Sequence, residues 1–210
     1  MAVATKQPAV LESGDRLTRQ EFHRRYSTRP DIKKAELVLG VVYVASPVNF
    51  GRHGEPHGLI GAWLRVFTVK TPGLRFGDNA TVYLGPDSEV QPDAFVFWDP
   101  PREGGARVTP DQYVEGPPLL VVEVAASSAS YDLHDKMEAY RRAGVPEYIV
   151  WRVVDEKLDW FHLQNGQYVR LEPDAQGVIE SRVLPGLRLP VDRLLAGDAT
   201  AVLAAIGVKV

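Results

Sequence analysis

Leu119-Leu120-Val121-Val122-Glu123-Val124-Ala125 is aliphatic at every position but one. A short, nearly continuous run of this kind, following the Pro-, Gly- and charge-rich segment Asp99–Pro118, reads as a central strand buried on both faces. A helix over about Asp132–Ala143 and a further strand over Glu147–Val154 come next. Strand, helix, strand in that order favours a parallel crossover. The expected fold class is therefore α/β, a mixed sheet flanked by helices.

Outward from that unit, Thr18-Arg19-Gln20-Glu21 fits a capping box that opens a helix through about Tyr26, before Pro30. Ala35–Ala45 reads as two short strands turning at Leu39-Gly40. Over Pro56–Val69 the apolar positions Leu59, Ile60, Trp63, Leu64 and Phe67 recur at helical spacing, and Thr71-Pro72-Gly73 stops that helix. Thr81–Leu84 and Val90–Trp98 read as strands around the turn-like Gly85-Pro86-Asp87-Ser88. Lys157–Leu163 and Tyr168–Leu171 surround Asn165-Gly166, a strong hairpin signal. Beyond Pro185 short helices are expected, Ala199–Ile206 the clearest. The chain is read as an N-terminal arm over 1–16, one domain over 17–195 and a C-terminal helical tail over 196–210.

Composition bounds the classes. At 210 residues, 45% apolar and 24% charged, the chain can fold around one substantial core. A net charge of −3 shows no general basic excess, so any nucleic-acid contact needs a local basic surface. The absence of cysteine excludes disulfides and thiolate zinc sites. No run of about eighteen apolar residues exists, and Lys6, Glu12, Asp15 and Arg16 interrupt the start of the chain. Membrane insertion and a secretory signal are thus not expected, and cytoplasm is the expected compartment.

Two carboxylates stand out by their company. Asp93 interrupts Val90, Ala94, Phe95, Val96 and Phe97, as Glu123 interrupts its own strand. Isolated acids in apolar sequence need a cation, a hydrogen-bond network or solvent at a strand end. A shared hard cation answers both, and Mg²⁺, with Mn²⁺ as a substitute, typically takes one or two carboxylates. Lys136 lies at helical spacing with Leu133, Met137 and Tyr140, so it points with the apolar face and wants an anion. The chemistry such a set suits is phosphodiester hydrolysis by a metal-activated water, with Lys136 orienting the nucleophile or stabilising the transition state.

Blander readings stand beside these. Asp93 as a turn residue held by backbone donors, Lys136 paired with Asp132 one helical turn earlier, and Asp132 as a cap or brace each require no catalysis. His53 and His57 are four apart, but Pro56 places the helix start between them and argues against a shared zinc-binding face. His57 suits either the helix N-terminus near the pocket, where phosphate is favourably bound, or, equally, a merely solvated position. Arg24, Arg25, Lys33, Lys34, Arg52, Arg65, Arg141 and Arg142 are available for phosphate contacts, while Trp63, Trp98, Trp151 and Trp160 fit core or hairpin packing.

Ala35-Glu36-Leu37-Val38, Ala45-Ser46-Pro47, Gln91-Pro92-Asp93, Val121-Val122-Glu123-Val124-Ala125-Ala126-Ser127-Ser128, Tyr131-Asp132 with Lys136, and Gly144-Val145-Pro146-Glu147-Tyr148 together resemble the bacterial Uma-type family of putative restriction endonucleases, in the PD-(D/E)xK nuclease superfamily. The resemblance runs from about Leu17 to Leu195. It implies a restriction-endonuclease-like mixed-sheet core, divalent-metal dependence and DNA cleavage, with Asp93 and Glu123 as metal carboxylates. It also implies Lys136 as a catalytic lysine moved from the strand onto the helix, since Val124-Ala125 stands where E-x-K would continue. Glu36 matches a further acidic position, with Leu39-Gly40-Val41 replacing the Asp-Gly-Glu that commonly follows. The expected protein is a Mg²⁺-dependent endonuclease acting on DNA, a homodimer if it cuts both strands. The competing classes are a catalytically inactive nucleic-acid-binding or assembly module on the same fold, and a hydrolase of small phosphoesters.

Overall fold

The Leu120–Ala125 strand is interior to a six-stranded mixed sheet whose order is Gln167–Arg170, Lys157–Gln164, Glu147–Arg152, Leu120–Ala125, Ala94–Trp98, Leu74–Asp78. It pairs parallel with Glu147–Arg152, and every other neighbouring pair in that sheet is antiparallel. All six of its residues are buried, as an aliphatic run with both faces covered requires. The computed structural model describes residues 10–126 and 128–209. The first nine residues of the expected arm, Ser127 of the quoted motif and Val210 of the expected tail lie outside the described residues.

Alternation along the central strand sorts two cores. Leu120, Val122 and Val124 join Ala94, Val96, Ile149 and the helix Glu55–Val69, which buries Ile60, Trp63 and Leu64 against them. Val121 and Ala125 face the other way, with Phe95, Phe97, Tyr148, Val150, Ala139 and Tyr140. Glu123 shares the parity of Val121 and Ala125. The register Ala94↔Val122 and Phe95↔Val121, continued by one step, sets Asp93 opposite Glu123. Both acids therefore belong to one face of the sheet.

A second six-stranded sheet, ordered Val41–Val44, Ala35–Val38, Glu89–Val90, Val82–Tyr83, Val114–Glu115, Arg107–Val108, covers part of that same face, with Val38, Val82 and Val90 in the shared core. The turn at Leu39-Gly40 and the hairpin turn at Asn165-Gly166 form where expected, with φ of 50° and 80° and of 50° and 75°, the left-handed pair of a tight hairpin. The Arg19–Tyr26 helix is capped by Thr18, whose Oγ1 accepts from the Glu21 amide at 3.3 Å. The reciprocal half of the capping box is not made, because the Glu21 carboxylate binds Arg24 and Arg25.

Several expectations need correction. Val90–Trp98 is not one strand. Glu89–Val90 belongs to the second sheet and Ala94–Trp98 to the first, and the chain crosses between them at Gln91-Pro92-Asp93, where Pro92 has no amide to give a ladder. The expected loop 99–118 holds two short strands, Arg107–Val108 and Val114–Glu115. Leu74–Asp78 forms an unforeseen edge strand, and Val178–Glu180 pairs with Arg188–Pro190 in an unforeseen small hairpin. Helical structure begins earlier than expected at both site helices: a π-helical turn Phe50–Gly54 leads into Glu55–Val69, and Ala129–Tyr131 with a π-helical turn Asp132–Lys136 leads into Met137–Ala143. The C-terminal helices are Val191–Leu195 and Ala199–Ala204, and Val202 and Ile206 lie buried in the core that holds Trp63.

Gly77 of the edge strand shows how tightly this frame is packed. A Cβ there would overlap the buried Phe95 ring, two residues from Asp93. Gly77→Ala is expected to cost about 1–3 kcal/mol of unfolding free energy, read by urea denaturation. An unchanged midpoint would show that the Phe95 ring moves aside freely.

Candidate active site

The break that carries the chain between sheets fixes Asp93 at the start of its strand, 3% exposed. Its Oδ2 accepts from the Val124 amide at 2.8 Å and from His53 Nε2 at 3.2 Å, and its Oδ1 lies 3.2 Å from Lys34 Nζ. Burial alone would raise its pKa. The His53 hydrogen bond and the charges of Lys34 and Lys136 outweigh it, so the carboxyl is held below the usual carboxylate range. Asp93 is thus a backbone-held residue and also one facing cations.

Glu123, 3% exposed, accepts from Tyr140 Oη at 2.7 Å and pairs with Lys136 Nζ at 2.6 Å, both through Oε1. Desolvation dominates here and pushes its carboxyl up to about 8, with Lys136 opposing only in part. Lys136 also reaches Glu36 Oε1 at 3.0 Å, and Glu36 in turn accepts from the Gln91 amide at 2.7 Å. Desolvation would lower the Lys136 ammonium, but Glu123, Glu36 and Asp132 together raise it well above its ordinary value. One buried cation is thereby shared by carboxylates from two sheets.

These groups line a cavity of about 380 Å³ with Lys34, His53, Asp93, Glu123, Asp132 and Lys136 among its walls. Of the six residues singled out from sequence, Asp93, Glu123, Lys136, Glu36 and Asp132 border it. Asp132 neither caps the helix nor pairs directly with Lys136. It is 3% exposed, its carboxylate accepts from Ser128 Oγ at 2.6 Å, and burial raises its pKa despite Lys136 nearby. His57 sits behind the acid, donating to the Asp93 carbonyl at 2.8 Å, with Asp78 Oδ1 at 3.4 Å.

His53 occupies the place expected for His57. The reason is the π-helical turn: helical structure starts at Phe50, so Pro56 does not separate the two histidines, whose rings lie 5.6 Å apart on one side. Four of the candidate arginines are engaged in ion pairs, Arg24 and Arg25 with Glu21, and Arg141 and Arg142 with Glu138. Lys34 is the member of that basic set that faces the cavity. Trp63 and Trp160 meet edge to face in the core, and Arg102 covers the Trp98 ring.

A family model described as "Uma2: Putative restriction endonuclease" matches residues 19–192. The chain belongs to the Uma2 family. A crystal structure of "a putative nuclease belonging to DUF820 from Anabaena variabilis ATCC 29413" superposes with a TM-score of 0.64 at 14% identity, covering 83% of this chain and 97% of that one. At that identity the likeness speaks for the fold, which is restriction-endonuclease-like. No curated protein matches the sequence.

Restriction-endonuclease-like nucleases generally use divalent metals, so the Uma2 site can be tested for fit. Among the described residues no three His, Asp or Glu side chains form a ready cage for an ion. Mg²⁺ does not require one, since it usually keeps waters and takes one or two carboxylates plus substrate phosphate. Asp93 and Glu123 supply those two, on one sheet face and one cavity wall. Glu123 is moreover a carboxyl whose charge Lys136 does not fully compensate. The donor set fits a hard dication.

Proposed function

We propose that this protein is a divalent-metal-dependent nuclease that hydrolyses DNA phosphodiester bonds, with Mg²⁺ the working ion and Mn²⁺ its substitute. The observation that carries this reading is the convergence of Asp93, Glu123 and Lys136, from two strands and a helix, on one cavity. Asp93 and Glu123 would hold the ion, which would supply Lewis-acid activation of water and neutralise charge on the phosphoryl group. Lys136, already between two carboxylates, is placed to give a proton donor and positive charge where the phosphoryl oxygens become more negative. Lys34 offers a second ammonium on the same wall, and His53 fixes the Asp93 carboxylate. Two copies, as a homodimer, would provide one such site for each strand of a duplex.

The test is cleavage of plasmid and single-stranded DNA by purified protein across Mg²⁺ and Mn²⁺ titrations, with Asp93→Asn beside the wild type. Cleavage is expected only with metal, and the substitution is expected to lower it by at least about 10³-fold. Metal-independent cleavage, or cleavage that survives loss of Asp93, would sink the proposal. Binding without cleavage under any metal would favour the inactive nucleic-acid-binding module.

A further inference from the structure

The segment that forms one wall of the cavity continues directly into an exposed aromatic residue, Phe50, which follows the wall residue Asn49 in the chain. Phe50 is 75% exposed and Val48 67% exposed, and Val48 itself forms part of the cavity wall with Ala45, Pro47 and Asn49. Scattered exposed apolar residues need no explanation, but an apolar lip on a charged pocket does. We propose that Phe50, flanked by Val48, stacks on an unpaired base of the nucleic-acid substrate beside the phosphate being cleaved. This inference rests on the nuclease reading and adds to it a preference for single-stranded or frayed DNA.

The lip is held, not loose. Asn49 Oδ1 accepts from the Arg52 amide at 2.9 Å, and the Asn49 carbonyl accepts from the Gly54 amide at 3.2 Å. The Phe50 carbonyl accepts the Glu55 amide and closes the π-helical turn onto the following helix. The ring lies over Gly54, where an added Cβ would be 3.7 Å from it. Three residues after Phe50 the same turn delivers His53 to Asp93 at 3.2 Å. One rigid turn thus presents an aromatic ring outward and a histidine to the candidate metal carboxylate.

The occupant follows from that pairing. With the proposed ion in place, Lys34, His53 and Lys136 would help to offset the cavity's Glu36, Asp93, Glu123 and Asp132 and receive the anionic phosphate, and a ring beside that wall has something to offer only the face of the attached base. In continuous duplex both faces of each base are covered by neighbours. The face becomes available in single strands, at ends and at flaps, which is why stacking platforms of this kind tolerate any base but require an unpaired one.

The experiment compares Phe50→Ala, Phe50→Trp and Val169→Ala in wild type held in EDTA and in a Glu123→Gln background, so that binding is read without turnover. Val169 is 48% exposed on the distant hairpin and serves as the control for loss of an exposed apolar side chain. Fluorescence anisotropy with a labelled single-stranded oligonucleotide and a blunt duplex should show Phe50→Ala weakening single-strand binding about 10-fold, the scale of one base–aromatic stack, with less effect on the duplex. Phe50→Trp should restore the affinity, with its indole fluorescence quenched on binding, and Val169→Ala should match its parent. Unchanged single-strand affinity in Phe50→Ala, with the parent binding normally, would overturn the inference and leave the nuclease reading standing. If neither parent binds either DNA, in EDTA or with Mg²⁺ restored to the Glu123→Gln protein, the inference falls, and cleavage by wild type with Mg²⁺ decides the nuclease reading separately. A Phe50→Ala variant that loses self-association in sedimentation while keeping its DNA affinity would assign the lip to contact between copies and overturn the inference as well.

Discussion

Glu123→Gln is expected to lower cleavage by at least about 10³-fold while leaving the protein folded, with an unfolding free energy that gains on wild type as pH rises. The substitution keeps the side-chain length and an oxygen that can still accept from Tyr140, so the packing around the central strand is preserved. It removes the carboxylate that burial penalises most. Glu123 is pushed up to about 8 in the folded protein against about 4.5 for an ordinary glutamate, so the folded state binds a proton that the unfolded state has released across that interval. A group raised in this way contributes less stability as pH rises from about 4.5 toward 8. Stability of the variant relative to wild type should therefore improve over that range in metal-free buffer. Lys136 keeps Glu36 as a partner at 3.0 Å, which limits the loss from the broken pair. Urea denaturation at pH 5 and pH 8, beside a cleavage assay, reads both effects. A variant that is inactive because it is unfolded would defeat the prediction, as would one that is folded and active.

The separation of activity from stability is the signature of a site maintained against folding energetics. Surface ion pairs such as Arg24 with Glu21 contribute little and are replaceable. A cluster of Glu36, Glu123, Asp93, Asp132 and Lys136, each at or below 6% exposed, is costly to desolvate, and apolar side chains of similar volume would hold the same two sheets together at least as well. Its presence beside Gln91-Pro92-Asp93, where the chain passes directly from a strand of one sheet into a strand of the other, is what a chemical role would explain.

How far the sequence discloses this depends on whether the signal is local. The central strand is legible because six of seven neighbouring residues say the same thing, and Asn165-Gly166 because a single dipeptide fixes a turn. Asp93 and Glu123 stand out because each is an acid inside an apolar run, and that they face the same way follows from strand parity once the antiparallel register is known. The register itself is not local. Neither is the crossing at Pro92, which looks like the interior of a strand because the apolar pattern continues on both sides of it although the sheets differ. The edge strand Leu74–Asp78 contains Arg75 and Gly77, and its place is set by its partner Ala94–Trp98 more than by its own propensity. His53 is hidden for a third reason: one π-helical turn shifts the helical phase, and Pro56, normally a sign of a helix start, here follows helical residues already in place. Lys34 meets Asp93 across 59 positions of chain, so nothing in its own neighbourhood marks it out.

Lys136→Met is expected to cost about 3–5 kcal/mol of unfolding free energy at pH 8 and to lower cleavage about 10²- to 10³-fold. Methionine approximates the length of the lysine stem and keeps its contacts, so the loss isolates the ammonium. That ammonium is 2% exposed and lies 2.6 Å from Glu123 and 3.0 Å from Glu36. Without it two buried carboxylates face each other at the cavity wall with the Tyr140 hydroxyl and the Gln91 amide as their remaining donors within the protein. The pH dependence has a definite sign. Loss of the ammonium removes the main influence that lowers Glu123, so its folded-state pKa moves further up, and the stability attached to a raised carboxyl is lost as pH increases. The deficit from this source should thus hold steady up to about pH 8, where Glu123 keeps its proton in both folded proteins, and grow above it, where wild type can release that proton beside the ammonium and the variant cannot. Chemical denaturation from about pH 6 to about pH 10 reads the trend. A deficit that stays constant across the whole range would mean that the ammonium does not control the Glu123 proton, whereas one that grows above about pH 8 while cleavage collapses would tie the buried cation to both the fold and the chemistry.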